Sequence, residues 1–363
     1  MKILINLIGE QTAPNLIACK CYNADKIINV STNRTKKQSE NLKNTFLGDK
    51  FDEDIFIEDA YNIFETEDKI NNFINNKKPE DEIILNFTGA TKPISIGAYL
   101  GVDNHNVKCI YIDSATGRIL EYLNKKNNVS KINCKISIEE HFKMYGHEIK
   151  KKEETERSDK DERKRLKEYL KENYYSCNKF IKKFAKAYNK DTDYFKSDKE
   201  LTDDGGANSL KWDKKEKKLH LFLSGNNFCI QGDKAAEYFT GYWFEEIVRE
   251  DFLRLNIFDD TYFNAIIPQE HAKDSEAELD AVATKGYKLF IFECKTSAIT
   301  KNFVYKLAAI KNYTSNIYAN IYFIVFEDFK ETSNLESSLK SFNIHVINYS
   351  NLGKELNDIV SKC

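Results

Sequence analysis

The sequence predicts two α/β domains in tandem, the first built on a largely parallel sheet. Three observations carry this expectation. The chain has 363 residues, more than one ordinary core organises and enough for two domains. Its early part alternates short runs rich in Ile and Val with amphipathic stretches, the pattern of strands separated by helical crossovers. A charge-dense stretch then interrupts the pattern, and a different series of strands and helices follows.

In the first domain, apolar runs at 3–8, 27–30, 55–57, 83–87 and 107–112 predict strands, and 35–46 and 66–75 predict helices. Parallel pairing needs such crossovers. From Lys150 to Glu172 only Thr155, Ser158, Leu166, Tyr169 and Leu170 are uncharged. Both signs alternate there, which predicts a solvated helix or hinge with i,i+4 pairing. The expected division is 1–145 for the first domain, 146–172 for a charged linker and 173–363 for the second domain. Within the second, 174–188 reads as a helix, Asp203-Asp204-Gly205-Gly206 as a turn and 219–223 as a strand. A long helix at 232–255, interrupted by Gly241, precedes strands at 278–284 and 288–296. A helix at 303–313 and strands at 321–326 and 344–346 complete it.

Composition bounds the function. A net charge of −2 supplies no global field for a polyanion, so any anion site must be local. The eight cysteines are scattered, and the Cys19/Cys21 pair lacks a second pair or a nearby histidine to complete a zinc set. Reduced, packed thiols in a cytoplasmic protein are the expectation. No run of about 18 apolar residues is present to span a bilayer. The opening MKILINLIGEQTAPN reads as a buried strand rather than a signal peptide.

The chemistry-bearing stretch runs from Glu278 through Asp280 and Gly286-Tyr287 to Glu293-Cys294-Lys295. Residues two apart in a strand share a face, so Glu293 and Lys295 point one way and Phe290, Phe292 and Cys294 the other. A type II′ turn with Gly286 first and Tyr287 second pairs Lys285 with Lys288 and sets Asp280 opposite Glu293. Opposed residues lie about 5 Å apart at their β-carbons. Two carboxylates at that range repel, and a divalent cation removes the conflict. Hard oxygen ligands suit Mg²⁺ or Mn²⁺, with water and a substrate phosphate completing the shell. Lys295 is placed to orient the attacking water or to neutralise charge on the phosphate. The plainer alternative is an ion-paired hairpin face with no chemistry. The preceding helix offers Glu245 or Glu246 as a third carboxylate, and its phase is open.

This segment resembles the PD-(D/E)xK restriction-endonuclease-like superfamily over roughly residues 235–325. The resemblance implies metal binding by Asp280 and Glu293, catalysis by Lys295 and a supporting role for Glu245. Leu279 stands where the superfamily's name puts proline, and Thr296 continues the motif in the usual way.

Two loops of the first domain stand out. One is Gly9-Glu10-Gln11-Thr12-Ala13-Pro14-Asn15, with Pro14 near the first turn of a helix. The other is Thr88-Gly89-Ala90-Thr91-Lys92-Pro93. With strand order 3-2-1-4-5 they meet at the switch point where such sheets bind ligands. Helix N-termini, the hydroxyls of Thr12, Thr88 and Thr91, and the Lys92 charge then form an anion site. Ser31 and Asp113 extend its rim. The loops match neither a Walker A motif nor the dinucleotide fingerprint. They resemble the CARF domain, a Rossmann-like sensor. Joined to the PD-(D/E)xK segment, almost the whole chain is similar to the CARF nuclease effectors of type III CRISPR systems. The resemblance implies cyclic oligoadenylate as activator, cyclic tetra-adenylate first among them, bound across the two-fold axis of a homodimer. It also implies DNA and/or RNA as substrate. Ala90 replaces a commonly found second glycine, and a negative φ keeps it compatible with close backbone approach. The rival reading is a ligand-sensing regulator that binds nucleic acid or a partner without cutting.

Overall fold

The computed structural model describes residues 1–46, 50–52, 54–151, 159–190, 197–203, 205–232, 234–268, 276–296, 298–313, 319–326 and 333–363. Residues 152–158 of the charged stretch and Asp204 of the expected turn lie outside the described residues.

The first domain alternates β1 (Lys2–Leu7), α1 (Ala13–Tyr22), β2 (Lys26–Ser31), α2 (Lys36–Thr45), β3 (Ile55–Phe56), α3 (Ile63–Asn75), β4 (Glu82–Asn86), α4 (Lys92–Val102) and β5 (Lys108–Asp113). These strands are parallel in the order β3-β2-β1-β4-β5. An antiparallel hairpin, β6 (Arg118–Leu123) and β7 (Lys126–Lys131), extends the sheet to seven strands. Successive residues feed opposite apolar layers. Leu4, Ile27, Ile84 and Ile110 pack on one face, and Ile3, Ile5, Ile28 and Leu85 on the other. Each such burial stabilises by roughly 1.5–3 kcal/mol. The order leaves the loops after β1 and β4 side by side.

Next come α5 (Ile138–Lys143), β8 (Lys150–Lys151) and α6 (Lys160–Lys190). Ser137 and Glu140 form a reciprocal capping box that starts α5. From residue 160 onward the charged stretch is helical, one of the two forms expected, but its role as a solvated connector is corrected. There the chain is a 31-residue helix with Leu166, Leu170, Tyr174, Cys177 and Phe184 buried in the second domain's core. An apolar stripe at three- and four-residue spacing anchors it, and the surrounding charge obscures that stripe in the sequence. Arg163 is buried too, bonded to Asp159 and the Gln231 carbonyl and lying over the Tyr238 ring.

A four-stranded antiparallel sheet follows: β9 (Lys199–Thr202), β10 (Asn208–Asp213), β11 (Lys218–Leu223) and β12 (Asn226–Gln231). Then α7 (Ala235–Glu237) passes through a π-helical turn at Tyr238–Tyr242 into α8 (Trp243–Leu255). The remaining elements are β13 (Asp260–Pro268), β14 (Glu276–Lys285), β15 (Lys288–Lys295), α9 (Lys301–Tyr313), β16 (Ala319–Val325), α10 (Ser333–Ser341), β17 (Ile344–Asn348) and α11 (Leu352–Val360). Six strands form one mixed sheet in the order β17-β16-β15-β14-β13-β8, with β15 at the change from parallel to antiparallel pairing.

Candidate active site and ligand loops

The β14–β15 turn pairs Lys285 with Lys288, and the ladder runs back to Ala281 opposite Phe292. Gly286 takes φ +58, the conformation a type II′ turn asks of its first residue. Asp280 is the next position and stands at the level of Glu293. Its Oδ2 accepts the Cys294 N–H at 2.6 Å. Lys295 Nζ donates to Glu293 Oε1 at 2.7 Å and lies 4.9 Å from the Phe303 ring centre. Glu293 is buried, and its Oε2 has no hydrogen-bond partner. An orphaned carboxylate oxygen beside a second carboxylate is the donor set a hard cation takes. Among the described residues no three His, Cys, Asp or Glu side chains form a ready-made cage.

The electrostatics are those of crowded acids. Burial, then the Glu293 charge, pushes the Asp280 carboxyl up to about 7, against the pull of Lys295. Burial and then Asp280 hold Glu245 well above the usual carboxylate range. Burial opposes the Lys295 charge, but Glu293 and Asp280 outweigh it and raise its pKa.

Helix phase separates the two glutamates of α8. Glu245 is the one coupled to Asp280, Lys295 and Glu293. Glu246 instead accepts the Tyr238 hydroxyl at 3.0 Å and lies 3.7 Å from Lys167 Nζ. The π-helical turn sets this phase. It also leaves the Thr240 carbonyl to accept the Thr296 hydroxyl at 3.1 Å, while Thr296 O accepts the Tyr174 hydroxyl at 2.7 Å. Thr296 thereby ties the end of β15 to α6 and to the turn before α8. π-Turns of this kind recur at functional sites. Sequence reasoning gave no role to Tyr242, Glu278 or Lys306. Burial, then Glu278 and Glu245, pushes the Tyr242 hydroxyl up to about 12, and the Lys306 charge reaches Asp280.

In the first domain the loops after β1 and β4 touch. A β-carbon on Gly89 would sit 2.2 Å from the Leu7 carbonyl oxygen, and one on Gly9 would sit 2.8 Å from the Ala90 nitrogen. Both glycines are therefore dictated by backbone contact. Ala90 has φ +67, so the expectation of a negative φ is corrected. The alanine is held in the left-handed region because the loop geometry is set by its neighbours, at a cost of about 1–2 kcal/mol.

The hydroxyls expected to converge on an anion are mostly spent inside the protein. Thr12 is buried and donates to Met144 O, and buried Asn15 donates to Leu7 O. Thr88 donates to Asn86 Oδ1 and accepts the Ile112 N–H, and Thr91 donates to Ala60 O while capping α4. Thr12 and Asn15 are buried and turned inward, while Thr88 and Thr91 are half-buried and hydrogen-bonded within the loops they shape. Ser31 is buried at the end of β2, and Asp113 accepts from Thr116 and Arg118. Lys92 is exposed and Gln11 half-buried, with Gln11 Oε1 lacking a partner. Beneath the loops, Asn6, Asn29 and Asn86 lie side by side on three adjacent strands, and Asn86 donates to Asn6. That row was detectable as one asparagine near the end of each apolar run.

Comparisons with known proteins find a separate family at each end of the chain. The family described as "Card1 CARF domain" matches residues 3–141, and "Card1-like, endonuclease domain" matches residues 232–362. No curated protein matches the chain in sequence. The fold is similar to Can2 from Sulfobacillus thermosulfidooxidans, solved with cyclic tetra-adenylate, at TM-score 0.74 and 17% identity over 99% of both chains. It is also similar to VC1899 from Vibrio cholerae, at TM-score 0.74 and 14% identity over 99% of this chain and 97% of that one. A type III CRISPR defence DNA nuclease activated by cyclic oligoadenylate matches at TM-score 0.57 and 12% identity, over 93% of this chain and 51% of that one. At these identities the likeness is one of fold. With both domain families matched in order, the chain belongs to the family that joins a Card1 CARF domain to a Card1-like endonuclease domain.

Proposed function

We propose that the protein is a cyclic-oligoadenylate-activated nuclease of cytoplasmic CRISPR defence, with cyclic tetra-adenylate as activator and DNA or RNA phosphodiesters as substrate. The observation that supports it most is the hairpin that brings Asp280, Glu293 and Lys295 together beneath Glu245, with one oxygen of Glu293 buried and unpartnered.

The donor set fits Mn²⁺ or Mg²⁺ held by Asp280 and Glu293, a two-carboxylate site of the kind that keeps its waters. Such a cation supplies Lewis-acid polarisation and an acidified water. Lys295 carries a proton at Nζ, paired to Glu293, and orients toward the acidic face where a phosphate is admitted. Burial and the Asp280 charge raise the Glu245 carboxyl above the usual carboxylate range, which suits it to act as an acid–base group beside Asp280. Thr296 fixes the end of the strand.

A nucleic-acid substrate is supported by the surface next to Thr296. Lys171, Tyr175, Lys179, Lys182 and Lys186 follow one another along α6 at three- and four-residue spacing and are all exposed. Tyr175 is 66% exposed, against Phe326. A basic stripe with an aromatic suits a phosphate backbone with unstacked bases.

Activator binding rests on the touching glycine loops and the exposed Lys92. A homodimer is supported by α4, where Ile96, Tyr99 and Leu100 are exposed together beside Tyr111. The test is cleavage of labelled DNA and RNA with Mn²⁺, with and without cyclic tetra-adenylate.

A further inference from the structure

The turn that closes the catalytic hairpin is buried in the other domain. Tyr287, second residue of that turn, is 7% exposed and packs with Ile110, Ile112, Ile119, Ile136 and Met144 of the CARF core. Its hydroxyl donates to the Ser114 carbonyl at 2.8 Å. A β-carbon on Gly117 would lie 3.2 Å from that hydroxyl, so the 114–117 turn closes around it. The Gly286 carbonyl accepts the Ile136 N–H at 3.0 Å, and its N–H donates to Asp259 at 2.7 Å. Lys135 pairs with the same Asp259 at 2.8 Å. The hairpin tip is thus gripped by the first domain through backbone, ring and hydroxyl.

What lies on the far side of Ser114 gives this grip a use. Ser114 follows Asp113, and Ile112 donates its N–H to Thr88 Oγ1 at 2.8 Å, the first residue of the loop that touches Gly9. A path of one hydrogen bond, two peptide units and another hydrogen bond therefore joins the ligand loop to the hairpin tip. A second contact runs parallel. Thr12 of the other loop bonds Met144 O, and Met144 packs in the same cluster as Tyr287. Rigid strands carry the hairpin tip on to Asp280 and Glu293, five residues up either strand from Lys285 and Lys288.

We propose that Tyr287 is the positioning residue that couples activator binding in the first domain to the carboxylate pair in the second. This rests on the reading of the first domain as a cyclic-oligoadenylate sensor. An activator that shifts the 88–92 loop shifts Ile112 to Ser114, and the Tyr287 hydroxyl carries the shift into the hairpin. A ligand changes the site only through such a difference between two arrangements. The phenyl ring provides packing, and the hydroxyl provides the directional tie.

The test is Tyr287→Phe, which keeps the ring and removes the tie. Binding of cyclic tetra-adenylate is followed by calorimetry, and hydrogen exchange is followed in peptides covering 278–296. The expected result is retained activator binding and melting lowered only slightly, the cost of one buried hydrogen bond. The activator-induced change in exchange at 278–296 is lost, and the ratio of activated to basal cleavage falls roughly two- to tenfold, the effect of one hydrogen bond. Retained binding with an unaltered exchange response and activation ratio overturns the proposal alone. Absence of activator binding in the unsubstituted chain overturns the sensor reading and the coupling with it.

Discussion

Asp280 and Glu293 face each other across the β14–β15 hairpin, yet the backbone ladder ends one pair short of them, at Ala281 and Phe292. The Cys294 N–H goes to the Asp280 carboxylate instead, and Lys295 goes to Glu293. The acids are thus held by hydrogen bonds that leave further oxygen valences open. Asp280→Asn keeps an acceptor for Cys294 and removes the charge. Cleavage is expected to fall by at least roughly a hundredfold. The cation-free melting temperature is expected to hold or rise, because repulsion with Glu293 is relieved. Full cleavage by this variant would remove Asp280 from the chemistry.

The two neighbouring glutamates of α8 are expected to behave oppositely. Glu245→Gln lowers the cleavage rate by roughly tenfold or more, since its carboxyl belongs to the acidic cluster. Glu246→Gln leaves the rate within about twofold and costs under about 1 kcal/mol, as expected for a partly exposed ion pair with Lys167. Steady-state rates and thermal melts of both variants check this. Loss of activity in the Glu246 variant alone would reverse the assignment.

This contrast also marks what the sequence makes legible. The period of two in a strand and the Gly286 turn are enough to align Asp280, Glu293 and Lys295. The phase of α8 is not, because Gly241 marks an interruption but not the rotation that the π-helical turn at Tyr238–Tyr242 introduces. The first five strands and their parallel pairing follow from the apolar runs and the crossovers between them, while their order in the sheet does not. The β7 strand stays hidden because every residue of Lys126–Lys131 is exposed, and β13 is broken by Asn264 at φ +50. Charge density conceals the buried stripe of α6. The Met144 partner of Thr12, the Ile112 partner of Thr88 and the Ala60 partner of Thr91 are distant in sequence, and no local pattern specifies them.

At the touching loops, Gly89→Ala is expected to abolish activator binding, since its β-carbon meets the Leu7 carbonyl oxygen. Ala90→Gly is expected to stabilise the domain by roughly 0.5–1 kcal/mol, relief of the left-handed strain outweighing the added chain entropy. Calorimetric titration and denaturant melts check the pair. A Gly89→Ala variant that binds like the unsubstituted chain would show that the loop contact is dispensable.

His141 of α5 gives a pH signature. It is buried, and burial drives its pKa from 6.5 down to about 3, only partly offset by the Tyr287 backbone. Below about 6.5 the unfolded chain takes up a proton that the folded chain refuses. The stability is complete above that pH and is lost as pH falls toward 3, by up to roughly 1.4 kcal/mol per pH unit. His141→Leu is expected to flatten this decline between about pH 6 and 4. Parallel slopes for the two proteins would assign the decline to other groups.

The most direct measurement is phosphodiester cleavage by the full chain with Mn²⁺, titrated with cyclic tetra-adenylate, beside Asp280→Asn and Lys295→Ala. The expected result is cutting of DNA or RNA that requires both cation and activator and disappears in both variants. Cutting that ignores the activator, or that survives in either variant, contradicts the conditional carboxylate–lysine centre.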